Sequence, residues 1–372
     1  NMSKGINFLM KKNKISVIYG SGTLTDKNKI EVIDTNQKKQ TYTGKNIIIA
    51  TGARSRELPN IKQDGKHIIG YRQAMNLKNK PESIIIVGSG AIGVEFAYFY
   101  NAIGTKVTII EYQSNIVPNE DKDVSKELHK IFKKNGIEIL TETAVEKAYV
   151  KDNSVHVETS TKGKKEILTA TKVLSAVGIV ANIENIGLEA LKITTDSGKI
   201  AVNEYYETNL TNHFAIGDVV SGPALAHVAS AEGIICVEKI AGHKPEPLNY
   251  DNIPGCTYCY PEIASVGMTE TKAIQNGYEI KVGKFPFSAS GKASAAGKKE
   301  GFVKMIYDAK YGELLGAHMI GFNVTEMIAE IVAARKLETT GYEILKTVHP
   351  HPTMSEAVME ATAAAFDEVI HL

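Results

Sequence analysis

Apolar residues in the middle of the chain recur with two alternating periods. The run Ser83–Val87 is typical of a buried strand, and Ala91–Ala102 has the spacing of a helix. A strand at Lys106–Ile110, an amphipathic helix over 122–135 and a strand over 137–141 follow in turn. Strands that alternate with helices in this way predict a parallel sheet with right-handed crossovers.

The flanking regions have different patterns. Residues 15–53 predict a meander of strands, with segments at 15–19 and Lys29–Ile33 and a buried strand over 45–52 that ends in a tight turn. Further strands are expected over 145–180, followed by a helix over 224–241. After Pro254 the pattern indicates a separate α+β domain, with strands at 264–267, 280–287, 301–308 and 313–320 and helices at 323–336 and 355–366.

Length, charge and cysteine content limit the class of protein. A chain of 372 residues is too long for one ordinary core and suggests two or three domains. Lys and Arg number 43 against 42 Asp and Glu, so no net field recruits nucleic acid or an anionic membrane. No apolar run approaches the roughly 20 residues of a membrane span, and the first residues lack the apolar stretch of a signal peptide. We therefore expect a cytoplasmic protein without nucleic-acid or membrane partners.

The turn after the strand Ser83–Val87 carries glycines at the G-x-G-x-x-G spacing of a dinucleotide fingerprint. In this pattern Gly88 makes the tight turn, Gly90 lets the backbone approach a pyrophosphate, and Gly93 packs the helix on the strand. The phosphate would lie at the helix N-terminus, where free N–H groups and the helix dipole favour an anion.

The acidic residue Glu111 strengthens this prediction because it ends the next strand, 18 positions beyond Gly93. A carboxylate there can accept hydrogen bonds from a ribose 2′-hydroxyl and repels a 2′-phosphate, so NAD is favoured over NADP. The alternative is an ordinary α/β turn followed by a solvated glutamate.

Four further motifs indicate a family when taken with this turn. They are the residues 48–53 (Ile-Ile-Ala-Thr-Gly-Ala), 214–219 (Phe-Ala-Ile-Gly-Asp-Val), 224–227 (Ala-Leu-Ala-His) and 349–356 (His-Pro-His-Pro-Thr-Met-Ser-Glu). In this order they resemble the pyridine nucleotide–disulfide oxidoreductases through essentially the whole chain. Within that family the chain is most similar to the members that oxidise dihydrolipoyl groups with NAD⁺.

The resemblance implies an α/β protein with Rossmann-like FAD- and NAD-binding domains and a C-terminal α+β dimerisation domain. It assigns residues 1–79 to the first part of the FAD domain and 80–182 to the NAD domain. Residues 183–252 would complete the FAD or central domain, and 253–372 would form the interface domain, which pairs two subunits.

The resemblance also implies cofactor contacts. Asp218 would bond the ribityl chain of FAD, and Gly22 would offer a backbone contact near the adenine. The turn against FAD would comprise Thr51, Gly52 and Ala53, and the residues beside the isoalloxazine and pyrophosphate would be Ala224, Leu225, Ala226 and His227. Glu95 would lie near the nicotinamide ring. The remaining NAD contacts would be Gly88, Ser89, Gly90, Ala91, Ile92, Gly93, Val94, Glu111, Val145 and Gly178.

In this family a His-Glu pair crosses the subunit interface into the partner's active site, and here the pair would be His351 and Glu356. The chemistry agrees, because thiol–disulfide exchange needs a base that takes a thiol proton near neutral pH. A carboxylate five residues on can reach back, fix the tautomer and stabilise the imidazolium. His349 is the alternative base, and two histidines beside prolines could also be plain loop residues. No third ligand accompanies them, so no metal is expected.

The spacing of Cys256 and Cys259 is that of a redox or zinc motif. Zinc would need a second ligand pair, and side chains on an extended strand diverge too much for an easy disulfide. We therefore interpret both as structural thiols rather than a redox pair, and Cys236 as a core residue.

One departure from the family pattern concerns the start of the chain. The family's own glycine-rich FAD turn and its C-x-x-x-x-C redox disulfide are not found in this sequence. We therefore expect that an N-terminal flavin-binding segment is missing, that the FAD site is incomplete, and that this chain alone is inactive. The implied function is oxidation of dihydrolipoyl groups on the acyltransferase of a 2-oxoacid dehydrogenase complex. The alternatives are an inactive NAD-binding and dimerisation fragment, or a soluble pyridine nucleotide transhydrogenase.

Overall fold

The structure is a computed structural model that describes residues 2–372. Its helices are α1 (Met2–Lys12), α2 (Tyr71–Ala74), α3 (Ala91–Ala102), α4 (Lys122–Lys134), α5 (Ala226–Ile240), α6 (Glu270–Gln275), α7 (Gly291–Ala296), α8 (Val324–Lys336), α9 (Gly341–Lys346) and α10 (Glu356–Ala365). Its strands are β1 (Ser21–Asp26), β2 (Lys29–Ile33), β3 (Lys39–Thr43), β4 (Ile47–Ile49), β5 (Ala53–Ser55), β6 (Ile68–Ile69), β7 (Ser83–Val87), β8 (Lys106–Ile110), β9 (Glu138–Leu140), β10 (Thr143–Lys151), β11 (Ser154–Thr161), β12 (Lys164–Ala170), β13 (Lys172–Ser175), β14 (Ile179–Ala181), β15 (Thr195–Asp196), β16 (Lys199–Ile200), β17 (His213–Ala215), β18 (Gly255–Thr257), β19 (Glu262–Gly267), β20 (Ile280–Pro286), β21 (Phe302–Asp308) and β22 (Leu314–Gly321).

The chain forms two compact units, each built from two separate stretches. The first comprises Asn1–Arg54 and Val180–Leu248, and the second comprises Ser55–Ile179 and Asn249–Leu372. The predicted domain boundaries near 182 and 252 lie close to the last two changes of unit, whereas the predicted boundary near 79 lies inside the second unit. The division into four segments stays a prediction, and residue 1, where its first segment begins, lies outside the described residues.

In the first unit, β4 and β17 pair in parallel, with Ile47 opposite His213 and Ile49 opposite Ala215. The meander β1-β2-β3 packs on them through Leu24, which shares their apolar core. Because parallel strands end at the same edge of a sheet, the turns that follow β4 and β17 lie side by side. This edge holds several of the residues expected to contact FAD.

The prediction of a strand over residues 15–19 is wrong. These residues form no strand, and they follow α1, which the apolar pattern did not predict. A strand exists only where a neighbouring strand takes up its backbone hydrogen bonds, and within the described chain none pairs with this segment. Its side chains, including Ile15 and Tyr19, are correspondingly exposed.

The second unit contains the predicted parallel sheet, in the order β6-β13-β7-β8-β9. The bounds predicted for β7, α3 and β8 are confirmed. Helix α4 ends one residue earlier than predicted, and β9 is one residue shorter at each end. The meander β10-β11-β12 supplies the strands expected over 145–180. The agreement is close because each element has an uninterrupted apolar period. Glycines at 88, 104 and 136 also mark the turns after β7, α3 and α4.

The α+β region predicted after Pro254 is confirmed, with the sheet order β18-β19-β22-β21-β20. Helices α8 and α10 pack on this sheet in one apolar core with Val303, Met305 and Met319. Among the residues described, no helix is long and apolar enough to cross a membrane.

A buried cation joins this sheet to α4. The ammonium group of Lys304, on β21, lies 2.9 Å from Asp121, 3.2 Å from Asp123 and 2.6 Å from Glu270. Burial alone would raise the pKa of Asp121, but the bond and charge of Lys304 and the Asp123 N–H together outweigh it, and the pKa is lowered. A buried charge is tolerated only when it is paired in this way. The ion cluster therefore holds the antiparallel sheet against α4 and so against the parallel sheet of the same unit.

Candidate functional site

The glycine turn between β7 and α3 has the geometry that the spacing predicts. Gly88 has a φ of +97°, and a Cβ atom on it would lie 2.5 Å from the carbonyl oxygen of Ala176. A Cβ on Gly93 would lie 2.0 Å from the carbonyl oxygen of Gly88, so the helix could not approach the strand. A Cβ on Gly90 would meet nothing within 4 Å. Gly90 is the N-cap residue of α3, and it has no side chain to accept bonds from the helix N–H groups. The turn thus leaves an open approach to free N–H groups, as a pyrophosphate requires.

Glu111 lies beside this turn and is 7% exposed. One carboxylate oxygen accepts hydrogen bonds from the Ser89 backbone N–H (2.9 Å) and hydroxyl (2.6 Å). The other accepts the N–H of Gln113 at 2.7 Å. These donors hold the carboxylate at the carboxyl end of β8, where a ribose hydroxyl would add one more donor and a 2′-phosphate would meet a like charge.

A cavity of about 410 Å³ opens over this turn. It brings together five of the residues expected to contact NAD: Gly88, Ser89, Gly90 and Glu111 around the turn, and Val145 from the meander. The other lining residues are Leu58, Ile61, Val87, Ile110, Tyr112, Thr143, Ala144 and Val177. These residues fit the adenosine half of NAD, since apolar walls meet one carboxylate and a glycine turn.

The other expected NAD contacts lie around this cavity or behind it. Ala91 and Ile92 begin α3, and Gly178 follows the lining residue Val177 with a φ of +105°. Val94 is fully buried in the core, so only its backbone could face a nucleotide.

Glu95 lies on α3, one residue beyond Val94. Its carboxylate accepts the backbone N–H of Tyr258 at 2.8 Å. Burial raises the pKa of Glu95, and that hydrogen bond offsets the rise only in part. The contact with Tyr258 was not predicted, because a backbone donor has no signature in the side-chain pattern.

The residues expected to contact FAD form a separate group in the first unit. Thr51 and Gly52 follow β4, while Asp218 lies in the turn after β17. The Thr51 hydroxyl donates to the carbonyl of Asn182 at 2.6 Å, and the Asn182 amide donates back to the Thr51 carbonyl at 3.0 Å. Ala53 continues this turn into β5. The reciprocal bonds fix the turn that the motif predicts.

Helix α5 begins beside this edge, after Ala224 and Leu225. Its first residues, Ala226 and His227, are exposed, and no side chain caps its N-terminus. Gly22 lies on β1, two residues from the core residue Leu24.

The surroundings of Asp218 show whether the residues present suit FAD. Lys199 donates to its backbone carbonyl, whereas within residues 2–372 no donor contacts its half-buried carboxylate. A carboxylate and a helix N-terminus at one strand edge suit a polyhydroxyl chain that ends in a phosphate. The residues present therefore fit the ribityl and pyrophosphate portion of FAD.

The predicted acid–base pair is assembled as expected. The ring atom Nδ1 of His351 lies 2.8 Å from Oε1 of Glu356, and the side chain of His351 is 79% exposed. Burial would raise the pKa of Glu356, but the Thr353 N–H at 2.8 Å and the His351 ring together lower it. Nδ1 is thus held as the donor, and Nε2 has no partner in the described part of the chain, which leaves it free to take a proton.

His349, the alternative base, has a different environment. Its side chain is only 5% exposed, and Nε2 lies 2.8 Å from Oε1 of Glu330 on α8. Nδ1 lies 3.2 Å from the carbonyl of Thr347. Both ring nitrogens are occupied, so this residue is not the one that meets a substrate. Glu330 was missed by the sequence reasoning, since nothing in the spacing of α8 marks it.

The cysteines behave as the structural thiols that we expected. All three are free, and burial raises the pKa of each, that of Cys236 to about 11. Cys256 lies on β18, while Cys259 is buried beyond it and donates to the Pro261 carbonyl. A thiol with a raised pKa is a poor nucleophile, so burial makes both thiols unreactive near neutral pH. Within residues 2–372 no group of side chains is arranged to hold a metal ion.

Three features indicate one class of oxidoreductase: the glycine turn, the strand edge expected to bind FAD, and the paired histidine. Comparison with known proteins agrees with this class. Residues 1–233 match the pyridine nucleotide-disulphide oxidoreductase family, and residues 253–362 match its dimerisation domain. The chain therefore belongs to the pyridine nucleotide-disulphide oxidoreductase family. Because the first match begins at residue 1, it gives no support to the expectation that an N-terminal segment is missing.

Individual relatives narrow the assignment. The chain is 48% identical to a dihydrolipoyl dehydrogenase of Zymomonas mobilis and 42% identical to one of Bacillus subtilis. Both alignments cover the whole chain and 80% of the relative. These identities place the chain in the dihydrolipoyl dehydrogenase branch of the family, and they do not favour the transhydrogenase or the inactive fragment.

Solved structures agree with this fold. LpdA of Mycobacterium tuberculosis superimposes with a TM-score of 0.90 at 25% identity, over 97% of this chain and 80% of that one. The flavoprotein disulfide reductase RclA of Escherichia coli superimposes with a TM-score of 0.89 at 26% identity, over 97% and 83%.

Proposed function

We propose that the protein is a dihydrolipoyl dehydrogenase, which oxidises protein-bound dihydrolipoyl groups with NAD⁺ through FAD. The observation that carries this proposal is the His351–Glu356 pair, in which a carboxylate holds Nδ1 of an exposed ring and leaves Nε2 free. Such a pair suits proton removal from a thiol near neutral pH. The whole-chain relatives named dihydrolipoyl dehydrogenases support the same activity.

In this reaction two thiols lose two electrons and two protons as they join in a disulfide. NAD⁺ takes up a hydride, and one proton is released. FAD, when bound, supplies the electron transfer between sulfur and nicotinamide. His351 accepts the thiol proton at Nε2, and Glu356 fixes the tautomer and stabilises the imidazolium that results. Glu111 selects NAD⁺ by accepting the ribose hydroxyls and repelling a 2′-phosphate.

We further propose a homodimer whose physiological partner is the lipoyl domain of a 2-oxoacid dehydrogenase acyltransferase. The match of residues 253–362 to the family's dimerisation domain supports the dimer. In the dimer, the His351–Glu356 pair of one subunit would serve the active site of the other. The cytoplasmic location expected from the sequence stays a prediction.

The test is formation of NADH from dihydrolipoamide and NAD⁺ by the purified full-length protein supplied with FAD. We expect turnover with NAD⁺, little with NADP⁺, and a visible flavin absorption band. Reduction of oxidised glutathione by NADPH under the same conditions is the comparison reaction. A protein that binds flavin but prefers the glutathione reaction would contradict the proposal.

A further inference from the structure

The loop between α9 and α10 carries two histidines, and each has its own carboxylate. His351 is paired with Glu356 at the start of α10, and His349 is paired with Glu330 on α8. The first side chain is 79% exposed and the second 5%. The second pair has no part in the mechanism described so far, although it lies two residues from the base.

The two acceptors around His349 determine its charge. Nε2 faces the Glu330 carboxylate, while Nδ1 faces the Thr347 carbonyl, at 2.8 and 3.2 Å. A neutral imidazole donates from only one nitrogen, so its other lone pair would point at an acceptor oxygen. Only the doubly protonated ring satisfies both contacts.

The charged groups around His349 also favour the protonated ring. The bond to Glu330 raises the pKa of His349, burial opposes the rise, and Glu356 on α10 adds a smaller contribution upward. Reciprocally, the charge of His349 helps to lower the pKa of Glu356, after the Thr353 N–H and His351. The carboxylates that face His349 are thus Glu330 from α8 and Glu356 from α10.

Separate hydrogen bonds hold the backbone beside this cation and beside the base. Thr347, whose carbonyl accepts from His349, is tied back to α9 by its hydroxyl, which donates to the Glu343 carbonyl at 2.8 Å. On the other side, the Thr353 hydroxyl donates to the Pro350 carbonyl at 2.7 Å, and the Thr353 N–H donates to Glu356. The exposed segment around His351 is therefore held at both ends, and His349 provides the anchor to α8.

We propose that His349 is a positively charged positioning residue, which anchors the loop to Glu330 and keeps Glu356 ionised and aligned for His351. This inference rests on the proposed function only for the identity of the reaction. The protonation state of His349 is a property of the loop and holds for any substrate. His349 itself exchanges no proton during turnover.

The first test observes the ring without turnover, by ¹⁵N NMR of histidine-labelled holoenzyme. We expect the His349 ring to lose its second proton at a higher pH than the ordinary histidine pKa of about 6.5. In Glu330→Gln the ring should lose that proton at a lower pH than in the wild type. A wild-type His349 that titrates near 6.5 would overturn the proposal, even if no loop variant folds.

The second test separates positioning from folding. In His349→Gln we expect kcat for dihydrolipoamide oxidation to fall about ten- to a hundredfold with little change in KM, because the base is misplaced rather than removed. NADH oxidation by ferricyanide, which needs no thiol base, should stay within about twofold of wild type, since the proposed defect lies in thiol deprotonation alone.

The matched control is His67→Gln, because His67 is 12% exposed and lies 3.5 Å from Asp64, outside this loop. Both activities should persist in it. Unchanged dihydrolipoamide turnover in His349→Gln, or an equal loss of both activities, would refute the positioning role. If the wild type oxidises NADH with ferricyanide but never dihydrolipoamide, the proposed function fails, while the NMR result still decides the charge of His349.

Discussion

The glycine turn at 88–93 and the histidine loop at 347–356 both carry residues of the proposed site, but different physical constraints shape them. In the turn, backbone geometry decides the structure, because a Cβ on Gly88 or Gly93 would collide with a carbonyl oxygen. In the loop, side-chain partners decide it, and two histidines two residues apart have exposures of 5% and 79%. The comparison shows that a backbone constraint is visible in residue types and their spacing, whereas the role of a polar side chain depends on what lies opposite it.

The largest expected effect is that of His351→Gln. Glutamine keeps a hydrogen bond to Glu356 but cannot take a thiol proton, so turnover should fall about 10²–10⁴-fold. The flavin absorption band should be unchanged, because the predicted flavin contacts lie in the other unit. Steady-state assays with dihydrolipoamide measure this effect. Turnover like that of the wild type would mean that His351 is not the base.

The turn can be tested with two matched glycine variants. Gly93→Ala should lower the free energy of unfolding by about 1–3 kcal/mol, because the methyl group overpacks the helix against the Gly88 carbonyl. Gly90→Ala should leave that free energy unchanged, since a methyl group there meets nothing within 4 Å. It should still weaken NADH binding, because the methyl group stands where the pyrophosphate approaches the backbone.

Urea unfolding and NADH titration of both glycine variants provide the measurements. Equal destabilisation by the two substitutions would mean that the turn is not shaped by the helix–strand contact. Unchanged NADH affinity in Gly90→Ala would place the pyrophosphate elsewhere.

A smaller effect is expected for Glu111→Gln. The amide oxygen can still accept both bonds from Ser89, and only the bond from the Gln113 N–H is lost, so the turn should stay folded. The repulsion of a 2′-phosphate is lost as well. The ratio of NADH to NADPH affinity should fall about tenfold, equivalent to about 1.4 kcal/mol. Fluorescence titrations with the two nucleotides measure the ratio. An unaltered ratio would show that Glu111 does not contact the ribose.

The smallest effect concerns the pH dependence of stability. Because the pKa of His349 is raised in the folded protein, its pair with Glu330 stabilises the fold fully below the unfolded pKa of about 6.5. That contribution is lost as the pH rises through the raised folded pKa. The difference in unfolding free energy between wild type and Glu330→Gln should therefore be larger at acidic than at alkaline pH. Urea titrations across this range would refute the pairing if the difference grew with pH.

Much of the second unit could be predicted from the sequence. The bounds of β7, α3 and β8 were predicted residue for residue, because each has an apolar period that one type of secondary structure satisfies. The segment 15–19 has an equally apolar pattern but forms no strand, since a strand also needs a partner for its backbone. Apolar periodicity thus predicts an element only where neighbouring elements complete its hydrogen bonds.

The candidate site likewise has features that the sequence predicts and features that only the tertiary structure decides. The sequence by itself determined the glycine turn, the acid at the end of β8 and the presence of a histidine base, because these depend on residue type, spacing and intrinsic chemistry. Only the tertiary structure decided which histidine is free to react, since α8 brings Glu330 to His349 and leaves Nε2 of His351 unpaired. It also decided that Tyr258 holds Glu95 and that Lys304 joins the sheets of the second unit. The last two contacts join residues more than a hundred positions apart, and Glu330 lies on another helix, 19 positions before His349, so no local pattern records these partners.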